Sequence, residues 1–376
     1  MKAFKNCNIY VNNNEIKKMS LVFGSVVESF DEPKSDFLEL DDNLTVIPGL
    51  IDKHTHGVNG NKFAGATQEQ MVEMVKDKAK EGVTSMVATF AALTVEQIKK
   101  YTKDVVEFMT TNELGSSIVG LHYEGPFLAP DYRGGNPEAN IIRGTLETFK
   151  EMVQDNLKYV KQITLDPKFC DVELLDYLNE NNITICVGHA GNTCKEIQEA
   201  MKHGLSCVTH SYASMNQISG QEIGVMGAGL LEDDLYCEVI ADNFSVSKEA
   251  MQLLYKVKGN DKICVVTDSS ATSHLPDGVH QVGAKTIHIE NKTAKTPEGK
   301  YAGSVLWVND GVRNLKNNLN IDLGTAVNFA AKNNAKNLNL SNIGEIALNK
   351  DADFTVVNEN LEVVLTIAKG KVIYKK

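Results

Sequence analysis

Between about residue 46 and residue 270 the chain changes periodicity repeatedly: a short run rich in Val, Ile and Leu, then a stretch whose apolar residues fall three and four apart. Strand candidates are Thr45–His56, Val83–Phe90, Ile118–Glu124, Tyr159–Leu165, Ile183–His189, Ser206–Ser211, Tyr236–Asp242 and Lys262–Asp268, eight in all. Helix punctuation lies between them. Met71, Met74, Val75 and Lys78–Ala79 recur at helical spacing and stop at Gly82, a residue suited to the left-handed turn that ends a helix. Thr94 and Gln97 make a capping box ahead of Ile98, Tyr101, Val105 and Phe108. Further helices are expected at Asp171–Asn181, Cys194–Gly204 and Ser247–Gly259. Eight such alternations predict an α/β fold, a (β/α)8 TIM-type barrel over 46–344, with chemistry at the C-terminal ends of its strands. A doubly wound open sheet is the competing architecture, but no GxGxxG turn opens a helix after a strand.

The two ends of the chain read differently. Residues 1–45 and 345–376 alternate Val, Ile, Phe and Leu with polar residues, and Asn and Gly turns divide the short runs. This pattern predicts a small β-sandwich domain built from both termini. No internal repeat or low-complexity stretch interrupts the chain.

Charge and cysteine usage exclude several classes of partner. A net charge of -11 is wrong for nucleic acid or an anionic membrane, since both demand a basic field. No apolar leader follows Met1, Asn12, Asn13 and Asn14 interrupt the first strand, and the run around Met86–Leu93 is too short to span a bilayer. The seven cysteines, an odd number without CxxC, are not a disulfide framework. Cys186, Cys207 and Cys264 lie within apolar strands and read as buried thiols of a reducing cytoplasm.

Six groups able to bind or work with a metal terminate these strands: His54, His56, Glu124, His189, His210 and Asp268. His54 and His56, two apart on a strand, point the same way at roughly 6–7 Å. Two imidazoles at that spacing can close on one ion through bonds of about 2.1 Å. Thr55 between them faces away. A carboxylate at Glu124 is costly to bury unless a cation or a donor neutralises it. His122, two residues deeper on the same face, is expected to be a hydrogen-bonded core histidine. Strand parity turns Cys186 and Cys207 away from the histidines, and Cys264 lies roughly 13 Å below Asp268. His203 and His288 read as surface groups, whereas His274 and His280 lie in the loop after the eighth strand, within reach of a substrate. Four histidines and two carboxylates at one barrel mouth predict a metal site.

The sequence resembles the amidohydrolase superfamily, and within it the N-acetylglucosamine-6-phosphate deacetylases. The resemblance is carried by PGLIDKHTHG (Pro48–Gly57), GLHYEGPFL (Gly120–Leu128), VGHAGNT (Val187–Thr193), THSYASM (Thr209–Met215), VIAD (Val239–Asp242), VVTDS (Val265–Ser269), AGS (Ala302–Ser304) and the terminal GEIALNKDADFTVV. It implies one metal on Glu124, His189 and His210 and a second on His54 and His56, with Glu124 bridging and Asp268 close by. The cofactor would be a divalent metal, one or two ions per subunit, zinc or iron suiting the mixed ligand set. The ion would acidify water and polarise an N-acetyl carbonyl, while Asp268 takes the water's proton and delivers it to the departing amine. The substrate would be an N-acetylated amino sugar; another N-acyl or cyclic amide, such as an N-acyl amino acid or a dihydroorotate-like ring, is the alternative. A homodimer is implied as well.

Sugar-contacting positions depart from the family. Gly135, beside Asn136, stands where a histidine is usual, Ala213–Ser214 replace Asn–Ala, Gln221 replaces an arginine and Ser245 replaces a histidine. These residues, with Ala302 and Ser304, are the expected substrate contacts. Phosphate recognition would fall to other cations, Arg133, Arg143 or Lys53 among them.

Overall fold

The computed structural model describes residues 2–11, 15–282, 285–299 and 302–376; Asn12–Asn14, expected to interrupt the first strand, lie outside them. Eight parallel strands make the barrel: β1 (Leu50–Thr55), β2 (Val83–Phe90), β3 (Ser117–Glu124), β4 (Val160–Leu165), β5 (Thr184–Val187), β6 (Leu205–Val208), β7 (Tyr236–Ile240) and β8 (Ile263–Val266). Each pairs with its sequence neighbour, β1 through β8 in order. The ring is drawn together just past the strand ends. Asp268 N donates to His54 O at 2.9 Å, His56 N donates to Ser269 O at 2.8 Å, and the hydroxyls of Thr55 and Ser269 pair at 2.8 Å. Strands of this kind are covered on both faces, so they read as continuous apolar runs rather than as an alternation.

The run expected as one strand from Thr45 to His56 is two. Thr45–Pro48 pairs with Phe354–Val357 in the terminal sheet, and β1 starts at Leu50. Gly49 is the joint: a Cβ there would fall 2.2 Å from Thr84 Oγ1. The terminal segments form one hydrogen-bonded sheet of eight strands drawn from residues 3–48 and 354–375. Its own core is built on Phe4, Phe23 and Phe354, whose ring centroids lie 5.0–6.0 Å apart.

Between the strands the expected helices form at Gln68–Lys80, Val95–Thr111, Val172–Glu180, Cys194–Met201 and Lys248–Lys258. The Thr94–Gln97 capping box is present, and others stand at Thr67–Gln70 and Thr193–Glu196. Past the first helix Gly82 adopts φ +81°, a conformation that strains any residue with a side chain.

The segment after β8 is anchored by buried charge. Lys78 Nζ lies 2.9 Å from both Glu81 and Asp52, all fully buried. Asp52 accepts from the Thr267 hydroxyl at 2.6 Å, and Glu81 accepts from His274 Nε2 at 2.7 Å. His274 stacks on Trp307 with centroids 4.1 Å apart. His274 is therefore held as a structural clamp away from the cavity at the barrel mouth, and His280, on the exposed strand Gly278–Val282, donates to Pro276 O.

Candidate metal centre

Three of the six strand-end groups sit two residues beyond the strands that carry them: His189 after Val187, His210 after Val208 and Asp268 after Val266. Each has a left-handed backbone, with φ of 50°, 27° and 45°. Non-glycine residues rarely adopt this conformation, and it collects at functional sites. Here it reverses the side chain at the moment the chain leaves the sheet, aiming it over the barrel axis. The same reversal overturns the parity argument for Cys186 and Cys207. Their thiols point into the barrel, one layer below the histidines, where they approach Glu238 within 4.8 Å.

At the mouth the donor atoms converge on Glu124. Its Oε1 lies 3.1 Å from His210 Nε2, 3.3 Å from His189 Nε2 and 3.4 Å from His54 Nε2. Its Oε2 is 3.2 Å from His56 Nε2, and Asp268 Oδ1 is 3.4 Å from His54 and 3.2 Å from His56. A tetrahedron with metal–ligand bonds of about 2.1 Å has edges of about 3.4 Å, so these separations are those of atoms sharing an ion. His189 and His210 bring their Nε2 atoms to 3.1 Å. His54 Nε2 is buried without a hydrogen-bond partner, a vacancy that a cation satisfies. The residues therefore fit a divalent metal in two overlapping sets: His54, His56, Glu124 and Asp268, and Glu124, His189 and His210.

Electrostatics agrees. Burial disfavours charge on His56, yet the carboxylates of Asp268 and Glu124 push it up to about 9. Likewise burial is outweighed at Glu124, where His189, His210 and His54 hold the carboxyl well below its usual range. Asp268 is the carboxylate that water can reach: its side chain is 23% exposed against 6% for Glu124.

The centre opens into a cavity of about 690 Å³, within the usual range for small-molecule sites. Gly135, Asn136, Ala213, Ser214, Ser245 and Ser304 line it, whereas Gln221 lies on an exposed turn and Ala302 packs against the hairpin core. Asn136 spends its amide on the loop, accepting from Ala92 N and donating to Arg133 O. None of the three cations expected to replace phosphate contacts lines this wall. Lys53 is fully buried under the ligands, Arg143 pairs with Asp171 outside, and Arg133 binds Asn136 O. Among the described residues on the wall, Lys62 is the one lysine or arginine, and sequence reasoning passed over it.

Glu238 was missed, and Lys53 was expected in a different role, at the phosphate. Glu238 and Lys53 form an ion pair of 2.7 Å in the barrel floor, with both side chains fully buried. Their signal was a charged residue within an apolar strand, YCEVI and LIDKHT. Adjacent Lys53 and His54 both reach the interior because the β1–β2 register slips between Asp52 and Thr55. His122 is a core histidine as expected, held by the Thr89 and Thr164 hydroxyls at 3.1 and 2.8 Å.

A parallel barrel whose mouth gathers imidazoles and carboxylates able to hold a cation, at the base of a cavity, defines a hydrolase of the metal-dependent class. The amidohydrolase family model matches residues 45–373, and the chain belongs to that family. It is an enzyme, a hydrolase acting on a small molecule, in a family that generally uses a divalent metal. A relative from Bacillus subtilis, an N-acetylglucosamine-6-phosphate deacetylase, is 30% identical over 99% of this chain and 94% of its own. The crystal structure of the deacetylase of the same name from Pasteurella multocida superposes with a TM-score of 0.91, at 27% identity over 99% of both chains. An N-acetylgalactosamine-6-phosphate deacetylase from Shewanella is 27% identical over 88% of this chain and 84% of its own.

Proposed function

We propose that the protein removes the acetyl group from an N-acetylated amino sugar carrying a 6-phosphate, releasing acetate and the free amino sugar phosphate. The observation that carries this reading is the convergence of six strand-end groups at the base of a cavity with several hydroxyls on its wall. Relatives of both sugar epimers support the substrate class without choosing between them.

When bound at His54, His56, Glu124, His189 and His210, one or two divalent ions, zinc or iron, supply acidified water and a polarised acyl oxygen. Asp268, the partly exposed carboxylate, takes a proton from the attacking water as the new C–O bond forms. It returns that proton to the sugar nitrogen as the C–N bond breaks, because an unprotonated amine leaves poorly. Ser214, Ser245, Ser270 and Ser304 offer hydroxyls along the wall to the sugar ring. Lys62, a cation on the wall, takes the phosphate. The absence of cystine among seven free cysteines supports a cytoplasmic enzyme, and the family resemblance supports a homodimer.

The test is direct. Metal-loaded protein is incubated with N-acetylglucosamine and N-acetylgalactosamine, each with and without the 6-phosphate, and the primary amine released is measured. Turnover of a phosphorylated sugar, abolished by a chelator and restored by metal, is expected. Activity confined to N-acyl amino acids or cyclic amides would refute the proposal.

A further inference from the structure

We infer that Glu238 is the positioning residue that sets His54 up as a metal ligand. The inference rests on the reading that a divalent ion lies against His54.

The argument is a count of donors and acceptors. Glu238 Oε2 accepts from His54 Nδ1 at 3.0 Å and from the His210 backbone N–H at 3.1 Å. Its Oε1 accepts from Lys53 Nζ at 2.7 Å and from Gln162 Nε2 at 2.9 Å. An ionised carboxylate has about four acceptor sites, and four donors occupy them. Lys53 is equally committed, giving its other protons to Gln162 Oε1 at 2.9 Å and Asn337 Oδ1 at 2.7 Å. The floor is thus closed and leaves Glu238 no role except acceptor.

The consequence falls on His54. Facing an obligate acceptor, its Nδ1 must carry a ring proton, so the neutral ring that binds a cation holds its lone pair at Nε2. Nε2 is the buried atom without a hydrogen-bond partner, 3.4 Å from both Glu124 Oε1 and Asp268 Oδ1. The same carboxylate grips the backbone of His210 at its left-handed turn, so one group beneath the mouth steadies a ligand of each set. Partners of this kind usually change metal affinity 10- to 100-fold when removed.

Glu238→Gln isolates the effect, because it keeps the size and replaces two acceptor sites with two donors. If the amide nitrogen faces His54, the ring must accept at Nδ1 and turn an N–H toward the ion. Competition with a chromophoric chelator should show a 10- to 100-fold loss of affinity for the ion at the His54 end. In zinc-loaded wild type, where the ring is neutral, NMR of ¹⁵N-labelled histidine should place the His54 proton on Nδ1. Lys53→Met, which removes the ion pair but keeps the acceptor, should melt earlier and retain the affinity. A wild-type proton on Nε2, or wild-type affinity in Glu238→Gln, overturns the role of Glu238. So does a loss of affinity that tracks melting temperature in both variants. A wild type that takes up no ion at all refutes instead the reading of the mouth as a metal site.

Discussion

The barrel holds two polar clusters one layer apart, and they are opposites. At the mouth, imidazoles crowd around Glu124 and His54 Nε2 is left without a partner. In the floor, Glu238 lies among Cys186, Cys207 and Gln162, and Lys53 fills the centre with an ammonium. Donor type alone does not separate them, since Cys, Cys and Glu could hold a metal as readily as His and Glu. What separates them is completeness. The floor carries its own cation; the mouth must import one.

That contrast can be broken from either side. Glu124→Gln should do the most damage, removing the group shared by both ligand sets. Turnover should fall more than about 10³-fold, with metal lost as measured by elemental analysis. Next, Asp268→Asn should cut kcat by about 10²–10⁴-fold while metal content stays near wild type, separating proton transfer from binding. Normal turnover in that variant would remove Asp268 from the proton path. In the floor the expected loss is stability. Lys53→Met leaves Glu238 buried without its counter-ion and should cost about 3–5 kcal/mol in denaturant melts, and it should not gain a metal in the floor. Lys62→Met should raise KM about tenfold for a phosphorylated sugar and leave the unphosphorylated sugar unchanged.

Asp353 sharpens the comparison as a third buried carboxylate, at the seam between the barrel and the terminal sheet. Burial dominates there and pushes its pKa up to about 6, although the Lys369 backbone N–H donates to it at 2.7 Å. The folded protein therefore holds this proton more tightly than the unfolded chain does. Stability from this group is greatest below the unfolded value near 4 and is lost as pH rises through about 6. Asp353→Asn should stabilise the protein by about 1–2 kcal/mol above pH 6, with the gain vanishing near pH 4 in melts across that range.

Strands and the groups that converge at the mouth were legible in the sequence for different reasons. A barrel strand is covered on both sides, so it shows as an apolar run bounded by Gly, Pro or Asn. The polar group that ends such a run is conspicuous, and His54, Glu124, His189, His210 and Asp268 were all found in this way. Glu238 and Lys53 were harder, since one charged residue inside a strand does not reveal what closes on it. Strand parity failed at Cys186 and Cys207 because alternation holds only while the backbone stays extended, and the turns at His189 and His210 leave it.

The sequence by itself determined the alternation, the barrel and the set of groups at its mouth, because periodicity and strand ends are local properties of the chain. Only the tertiary structure decided which buried carboxylate meets an ammonium and which meets bare imidazoles. Lys53 and Glu238 are separated by most of the barrel in sequence, and they meet where the strand register slips beside Lys53. Closure of the ring created that encounter, and nothing local announces it.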